Sequence, residues 1–114
     1  MIRRGEIYWI DFHGAAGAEI RKVRPAVVVS TNEHNEHMRT VTVVPFSSIV
    51  GPIQHHEFAV PAGIVGDGRP ARLKPHQLRA VDKSRVGRKF GVLPAKFMPA
   101  LEASLCEHLG IEEA

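Results

Sequence analysis

The sequence predicts a mainly β domain closed by a single C-terminal helix. Short alternating or β-branched segments recur between Gly5 and Leu93, and such residues favour the pleated backbone over the helix. Proline and glycine clusters separate those segments, which is the punctuation of turns. Met98, Leu101, Leu105 and Leu109 then repeat at the spacing of one helical face. Several short strands followed by one amphipathic helix fit a small curved sheet or barrel. The 114 residues suit one domain, spanning 1–114, with a real core.

Gly5 to Phe12 alternates well enough for a first strand, with Tyr8 and Trp9 on opposite faces. His13-Gly-Ala-Ala-Gly17 breaks it, and a loop runs on to Val23. Pro25 to Ser30 is the second strand, built on Val27, Val28 and Val29. The polar stretch Thr31 to His37 reads as a turn or short helix, with Thr31 or Asn32 as its cap. Thr40 to Phe46 is a third, β-branched strand ending at Pro45 and the pair Ser47-Ser48. His56 to Val60 alternates into a fourth, closed by Pro61-Ala-Gly63, and Gly66-Asp-Gly68 is a turn.

Ala71 to Leu78 is a strand interrupted at Pro75, and Arg79-Ala-Val-Asp-Lys-Ser-Arg85 follows it. Gly87 to Leu93 is the last strand, its glycines marking tight curvature or close approach by another backbone. In the helix, Pro99 is tolerable only near the start, so the first turn begins after Lys96. Gly110 is the natural residue past its end, with Ile111 closing over it. Phe46, Phe58 and Phe90 are read as core.

Hydrophobic residues make up 44% and charged residues 24%, the balance of a soluble globular protein. The single cysteine, Cys106, allows no internal disulfide and fits a reducing cytosol. Arg3-Arg4 precedes an apolar stretch, but Ile7 to Phe12 is short and broken by Asp11, so it is no export signal. No run is long enough to cross a bilayer. A cytoplasmic protein without membrane contact is expected. Between Arg69 and Lys96 nine Lys/Arg face the single acid Asp82, a net charge of +8. Such concentration favours a polyanionic partner through phosphate neutralisation.

The densest chemical signal is Gly17-Ala-Glu-Ile-Arg-Lys-Val-Arg24-Pro25-Ala-Val-Val-Val-Ser30. Pro25 fixes its own φ and holds Arg24 extended, so Arg24 projects at the mouth of a strand. Glu19 lies in a glycine-flanked loop that can fold back toward Arg24. His34-x-x-His37 beside Glu33, and the neighbours His55-His56, raise the question of zinc. No cysteine accompanies them and the spacing matches no structural zinc motif, so no metal is expected.

Gly5-Glu-Ile-Tyr-Trp-Ile-Asp-Phe12, followed by Gly17-x-Glu19-x4-Arg24-Pro25-Ala26-Val-Val-Val-Ser30, resembles the MazF/PemK (Kid-like) toxins of toxin–antitoxin pairs. The likeness continues through Val44-Pro-Phe-Ser-Ser48, Phe58 to Gly63, Gln77-Leu-Arg-x-Val-Asp-Lys-x-Arg85 and the closing helix, in the family's order. It implies an SH3-like small barrel of the CcdB/PemK type, usually a homodimer. It also implies a metal- and cofactor-independent endoribonuclease acting on single-stranded RNA. A cognate antitoxin would neutralise it, with operator DNA reached only through that antitoxin. A non-enzymatic CcdB-like gyrase poison is the alternative on the same fold.

Carried over by position, Glu19 and Arg24 match the family's acid and arginine, and Ser47 its hydroxyl after the third strand. Where many members carry an acid before the glutamine, this chain has His76, and Lys74 stands where some have arginine. Metal-free cleavage of RNA needs a base at the 2′-hydroxyl, a cation at the phosphorane and an acid at the departing 5′-oxygen. Arg24 suits the cation. Glu19 is either the base or the group that orients Arg24. Ser47 can donate to a phosphate oxygen, and His76 can supply the acid. Arg21, Lys22, Ser48, Lys74, Gln77 and Arg79 are the expected further contacts to RNA.

Overall fold

A computed structural model describes residues 1–49, 51–65 and 70–112. Among the described residues seven strands run antiparallel: β1 (Glu6–Asp11), β2 (Val23–Val28), β3 (Thr40–Ser48), β4 (Phe58–Val60), β5 (Ala71–Leu73), β6 (Arg79–Asp82) and β7 (Val86–Val92). Helix α1 spans Asn32–His37 and α2 spans Met98–Leu109. The mainly β reading with a C-terminal helix therefore holds. The expected turn at Gly66–Gly68 falls outside the described residues.

The order β4-β5-β3-β2-β1-β7 makes β3 the hub of the sheet. One half of it pairs with β6, from Thr40 to Val43, and the other with β5, from Phe46 to Ser48. Its opposite edge takes β2. The stretch Arg79–Asp82, given no element by its sequence, is thus a strand because β3 is long enough to serve two partners.

Alternation along the central strands sorts the core into two clusters. Ile7, Val27, Val44, Phe46, Leu73, Leu93 and Leu101 share one, with Phe58, Phe90, Met98 and Leu105 packed against it. Tyr8, Ile10, Phe12, Ala26, Val28, Val41, Val43 and Val81 share the other. Helix α2 seals the first through Leu101, while Leu109 is 54% exposed and falls off the stripe. Pro99 sits in the helix's first turn, as required. Gly110, at φ 70°, ends the helix, with Ile111 N–H bonded to Cys106 O at 2.8 Å. That left-handed stop is the one only glycine adopts without strain.

Strand β7 crosses β1 with two shifts of register. A Cβ on Gly87 would lie 3.1 Å from Trp9 O, so the close backbone approach anticipated for this strand is real at Gly87. Thr31 caps α1 by accepting from His34 N–H at 3.2 Å. The fully buried Asn35 ties that helix to the sheet, bonding Ser30, whose hydroxyl in turn accepts from Thr42 N–H.

Candidate active site

The β1–β2 loop is folded on itself before it is anchored to anything else. Phe12 N–H bonds Lys22 O at 3.2 Å across its base, and Glu19 N–H bonds Ala16 O at 3.2 Å. The Glu19 carboxylate accepts from Ala16 N–H in return, at 3.2 Å. Gln77 then clamps the loop from outside. Its side-chain oxygen accepts from Ile20 N–H at 2.9 Å and its amide nitrogen donates to Ala18 O at 3.2 Å. Gln77 belongs to a single 3-10 turn, Pro75–Gln77, positioned by Lys74 N–H bonding Pro45 O.

Loop, turn and sheet enclose a cleft of about 180 Å³. Phe12, Ile20, Pro45 and Leu78 give it apolar walls, and Glu19, His76, Gln77 and Arg79 give it chemistry. Residues paired across a ladder point the same way, and so do alternate residues along a strand. Arg79 pairs with Val43 and Ala26 with Pro45. Arg79, Pro45, Ser47, Ala26 and Arg24 therefore belong to one face of the sheet. The β2–β3 pairs end at Ala26 and Pro45, and Arg24 and Ser47 each lie two residues beyond that end.

The guanidinium of Arg79 lies over the Phe12 ring, 5.5 Å from its centroid. Its Nη1 is 3.7 Å from Glu19 Oε2, an ion pair too long to be a hydrogen bond. That same nitrogen is buried and has no hydrogen-bond partner. A buried donor left open at the wall of a cleft is costly and invites an acceptor. An anionic oxygen is the strongest acceptor it can take.

The glycine-flanked loop can bring Glu19 toward Arg24, but its ion pair is with Arg79, and among the described residues none forms with Arg24. The loop's anchor explains this: Gln77 draws residues 18–20 to the β6 side of the face. Arg24 is half-buried, and among the described residues its side chain makes no hydrogen bond or ion pair. Ser47 is half-buried and Ser48 exposed, and Ser47 Oγ spends only a weak bond, at 3.4 Å, on Ser48 O. Arg21 and Lys22 are exposed on the loop.

Among the described residues of the basic segment, several cations are engaged by the scaffold. Arg72 is buried, bonding Glu57 Oε1 at 2.7 Å and the carbonyls of Gly51 and Pro52, each at 3.0 Å. Lys74 pairs with the other oxygen of Glu57 at 3.5 Å, so it is engaged in the scaffold. Lys89 pairs with Glu6 at 2.6 Å, and Arg85 bonds Asp11 O and His13 O. The Glu57–Arg72 pair is invisible in the sequence, because charged residues are rarely buried and nothing in their spacing links them.

His76 is exposed at the rim, though burial of its ring lowers its pKa below the usual 6.5. Glu57 opposes that shift, while Lys74, His108 and His56 reinforce it. The ring is mostly neutral at pH 7, and its protonated form is scarce but more acidic. Among the described residues, His34 and His37 gather no metal-ligand group with Glu33, whereas His55 and His56 meet Glu107 of α2.

The family model described as PemK-like, MazF-like toxin of type II toxin–antitoxin system matches residues 3–109. The endoribonuclease MazF9 of Mycobacterium tuberculosis is 30% identical over 116 aligned positions, covering 97% of this chain and 98% of that protein. MazF from Deinococcus radiodurans superposes with a TM-score of 0.82 at 25% identity, over 95% of this chain and 96% of the other. An endoribonuclease solved with its cognate antitoxin, from a mycobacterial species, shares the fold at a TM-score of 0.77 and 20% identity, over 98% of both chains. With the family model matching residues 3–109 and a 30% identical relative covered over 98% of its length, the chain belongs to the PemK-like, MazF-like toxin family of type II toxin–antitoxin systems.

Proposed function

We propose that this protein is an endoribonuclease that cleaves single-stranded RNA in the cleft between the β1–β2 loop and β6. The observation that carries the proposal is the unspent Nη1 of Arg79, buried at the cleft wall 3.7 Å from the Glu19 carboxylate. A cation with an open donor beside an exposed carboxylate is the pairing that metal-free phosphodiester cleavage uses. A protein that acts only by docking on gyrase has no use for it.

In this reading Glu19 takes the proton of the 2′-hydroxyl, whose oxygen attacks phosphorus. Arg79 and Arg24 hold the phosphorane oxygens, and Ser47 donates a further bond. The bond from phosphorus to the 5′-oxygen breaks, and protonated His76 supplies the proton that oxygen needs. The products are a 2′,3′-cyclic phosphate and a 5′-hydroxyl. Arg21, Lys22 and Ser48 line the approach of the strand. Gln77 shapes the site by holding the loop, and Lys74 acts through Glu57. The active form in this reading is a cytoplasmic homodimer, and silencing by a cognate antitoxin is supported by the antitoxin complex of a solved relative.

The test is incubation with single-stranded RNA, the matching DNA, and RNA carrying scattered 2′-deoxy positions, all in excess EDTA. Cleavage of RNA that stops at the deoxy positions is the expected result. Intact RNA under every condition overturns the proposal.

A further inference from the structure

We propose that His55, His56 and Glu107 form a surface site for a divalent transition-metal ion of the zinc class, which fastens the β3–β4 connection to α2. One ligand atom from each of the three lies within 4.8 Å of the others. His55 Nε2 and Glu107 Oε1 are already 2.6 Å apart. The two imidazoles stand edge to face with centroids 4.4 Å apart. A tetrahedral zinc ion holds its ligand atoms about 3.3 Å from one another, given bonds near 2.0–2.1 Å. Small rotations of His55 and Glu107, both exposed, close the difference.

Two further observations point to a ligand. His56 Nδ1 is buried with no hydrogen-bond partner, so a ring nitrogen at this cluster is unspent. His108, next to Glu107, brings its ring to 5.7 Å from His56, within reach of a fourth position that water otherwise fills. Two imidazoles and one carboxylate select zinc or nickel over magnesium or calcium, which demand oxygen ligands.

The tip of the connection is held ready. Gln54 N–H bonds Glu57 Oε1 at 2.9 Å and Glu57 N–H bonds Gln54 O at 3.0 Å, closing a turn with His55 and His56 at its tip. Arg72 fixes the same Glu57 and the two carbonyls before the turn. Such support orients metal-binding side chains before the ion arrives. None of the three ligands lines the cleft, so the ion supplies no group to cleavage. It links the helix to the segment that leaves β3 just after Ser47 and Ser48.

The experiment uses untagged, metal-stripped protein titrated with zinc chloride by calorimetry, with thermal unfolding in parallel. One equivalent per chain is expected, with the melting temperature rising by at least about 5 °C in excess zinc. Amide exchange at residues 54–57 should slow on addition. His55→Gln and Glu107→Gln, both on the surface and so still folded, should each weaken binding at least about tenfold. His34→Gln/His37→Gln and Cys106→Ser should bind as the parent does. Absence of zinc binding overturns the proposal, and so does binding that survives His55→Gln/His56→Gln or disappears with Cys106→Ser.

Discussion

Glu19 and Arg79 meet at 3.7 Å across the mouth of the cleft, one from an exposed loop and the other from the edge strand β6. Neither is held by the other alone. Arg79 rests on Phe12, and Glu19 is positioned by Ala16 N–H. The pair is therefore preformed, and its free energy goes to placing charge more than to folding. Exposed ion pairs contribute at most about 1 kcal/mol, and a guanidinium over an aromatic ring adds about as much. Glu19→Gln and Arg79→Ala should each leave stability within about 1–2 kcal/mol of the parent while lowering kcat about 10²–10³-fold. Because they act together, the double variant should lose scarcely more than either single one. Fully multiplicative losses, measured on a defined RNA, would show that the two act separately.

Gln77 spends both ends of its amide on the loop, at Ile20 N–H and Ala18 O. Removing it should cost roughly 1–2 kcal/mol and free the loop that carries Glu19. Gln77→Ala is expected to raise KM and lower kcat together, with faster amide exchange at Ile20. Gln77→Glu keeps the acceptor for Ile20 N–H and should retain more of the protection there. If exchange at Ile20 is the same in all three proteins, Gln77 is not the anchor.

His76 carries a consequence in its environment. Burial lowers its pKa below 6.5, so the protonated ring that would serve as the acid is lost at a lower pH than for a free imidazole. Cleavage should therefore decline as pH rises from about 6 toward 8, and His76→Gln should flatten that limb while lowering the rate at its acidic end. A falling limb that persists unchanged in His76→Gln would remove His76 from the acid's role.

The scaffold of this site was legible because its signals are local. Three successive valines after a proline specify a buried strand whatever they pair with, and Gly110 after a leucine stripe specifies where a helix stops. The partner of Glu19 was not legible, because it depends on Arg79 being in a strand. Arg79-Ala-Val-Asp82 is too short to announce one, and only the length of β3 makes room for it. The fate of the basic segment was hidden for a similar reason. Arg72, Lys74, Lys89 and Arg79 look alike in sequence, yet each is assigned by an acid far away in the chain. Composition counts charge before folding, and folding pairs Arg72, Lys74, Arg79 and Lys89 with acids while burying only Arg72 among the described residues.

The buried member of that set yields a stability prediction. Glu57 and Arg72 have side chains 1% and 4% exposed, and removing either takes from the other the nearest opposite charge, at 2.7 Å, in a buried setting. Glu57→Gln should cost about 3–5 kcal/mol, seen as a lower urea midpoint, and should loosen the connection that Arg72 holds through Gly51 and Pro52. Replacing both by apolar residues of similar volume should cost less than Glu57→Gln alone. A double replacement that destabilises by the sum of the two singles would show that the pair's own attraction dominates.

Glu6 sets the response to pH. Burial of its carboxyl opposes ionisation, but the bonds from Lys89, Arg3 N–H and Tyr8 OH outweigh it and hold the pKa below the usual 4.5. A carboxylate depressed in the folded state contributes stability that is present above its unfolded pKa and is lost as pH falls through the folded one. The same contact acts in reverse on Tyr8, whose burial and bond to Glu6 push its pKa up from 10.0 to about 12. A raised phenol favours the folded state below its unfolded pKa and stops doing so as pH rises toward the folded one. Stability measured by urea unfolding should therefore exceed that of Glu6→Gln most strongly between about pH 5 and 9. The difference should shrink as pH drops from about 5 to 3 and, through Tyr8, change again above about 10. A difference that stays constant from pH 3 to 7 would mean that Glu6 is held by packing and not by its charge.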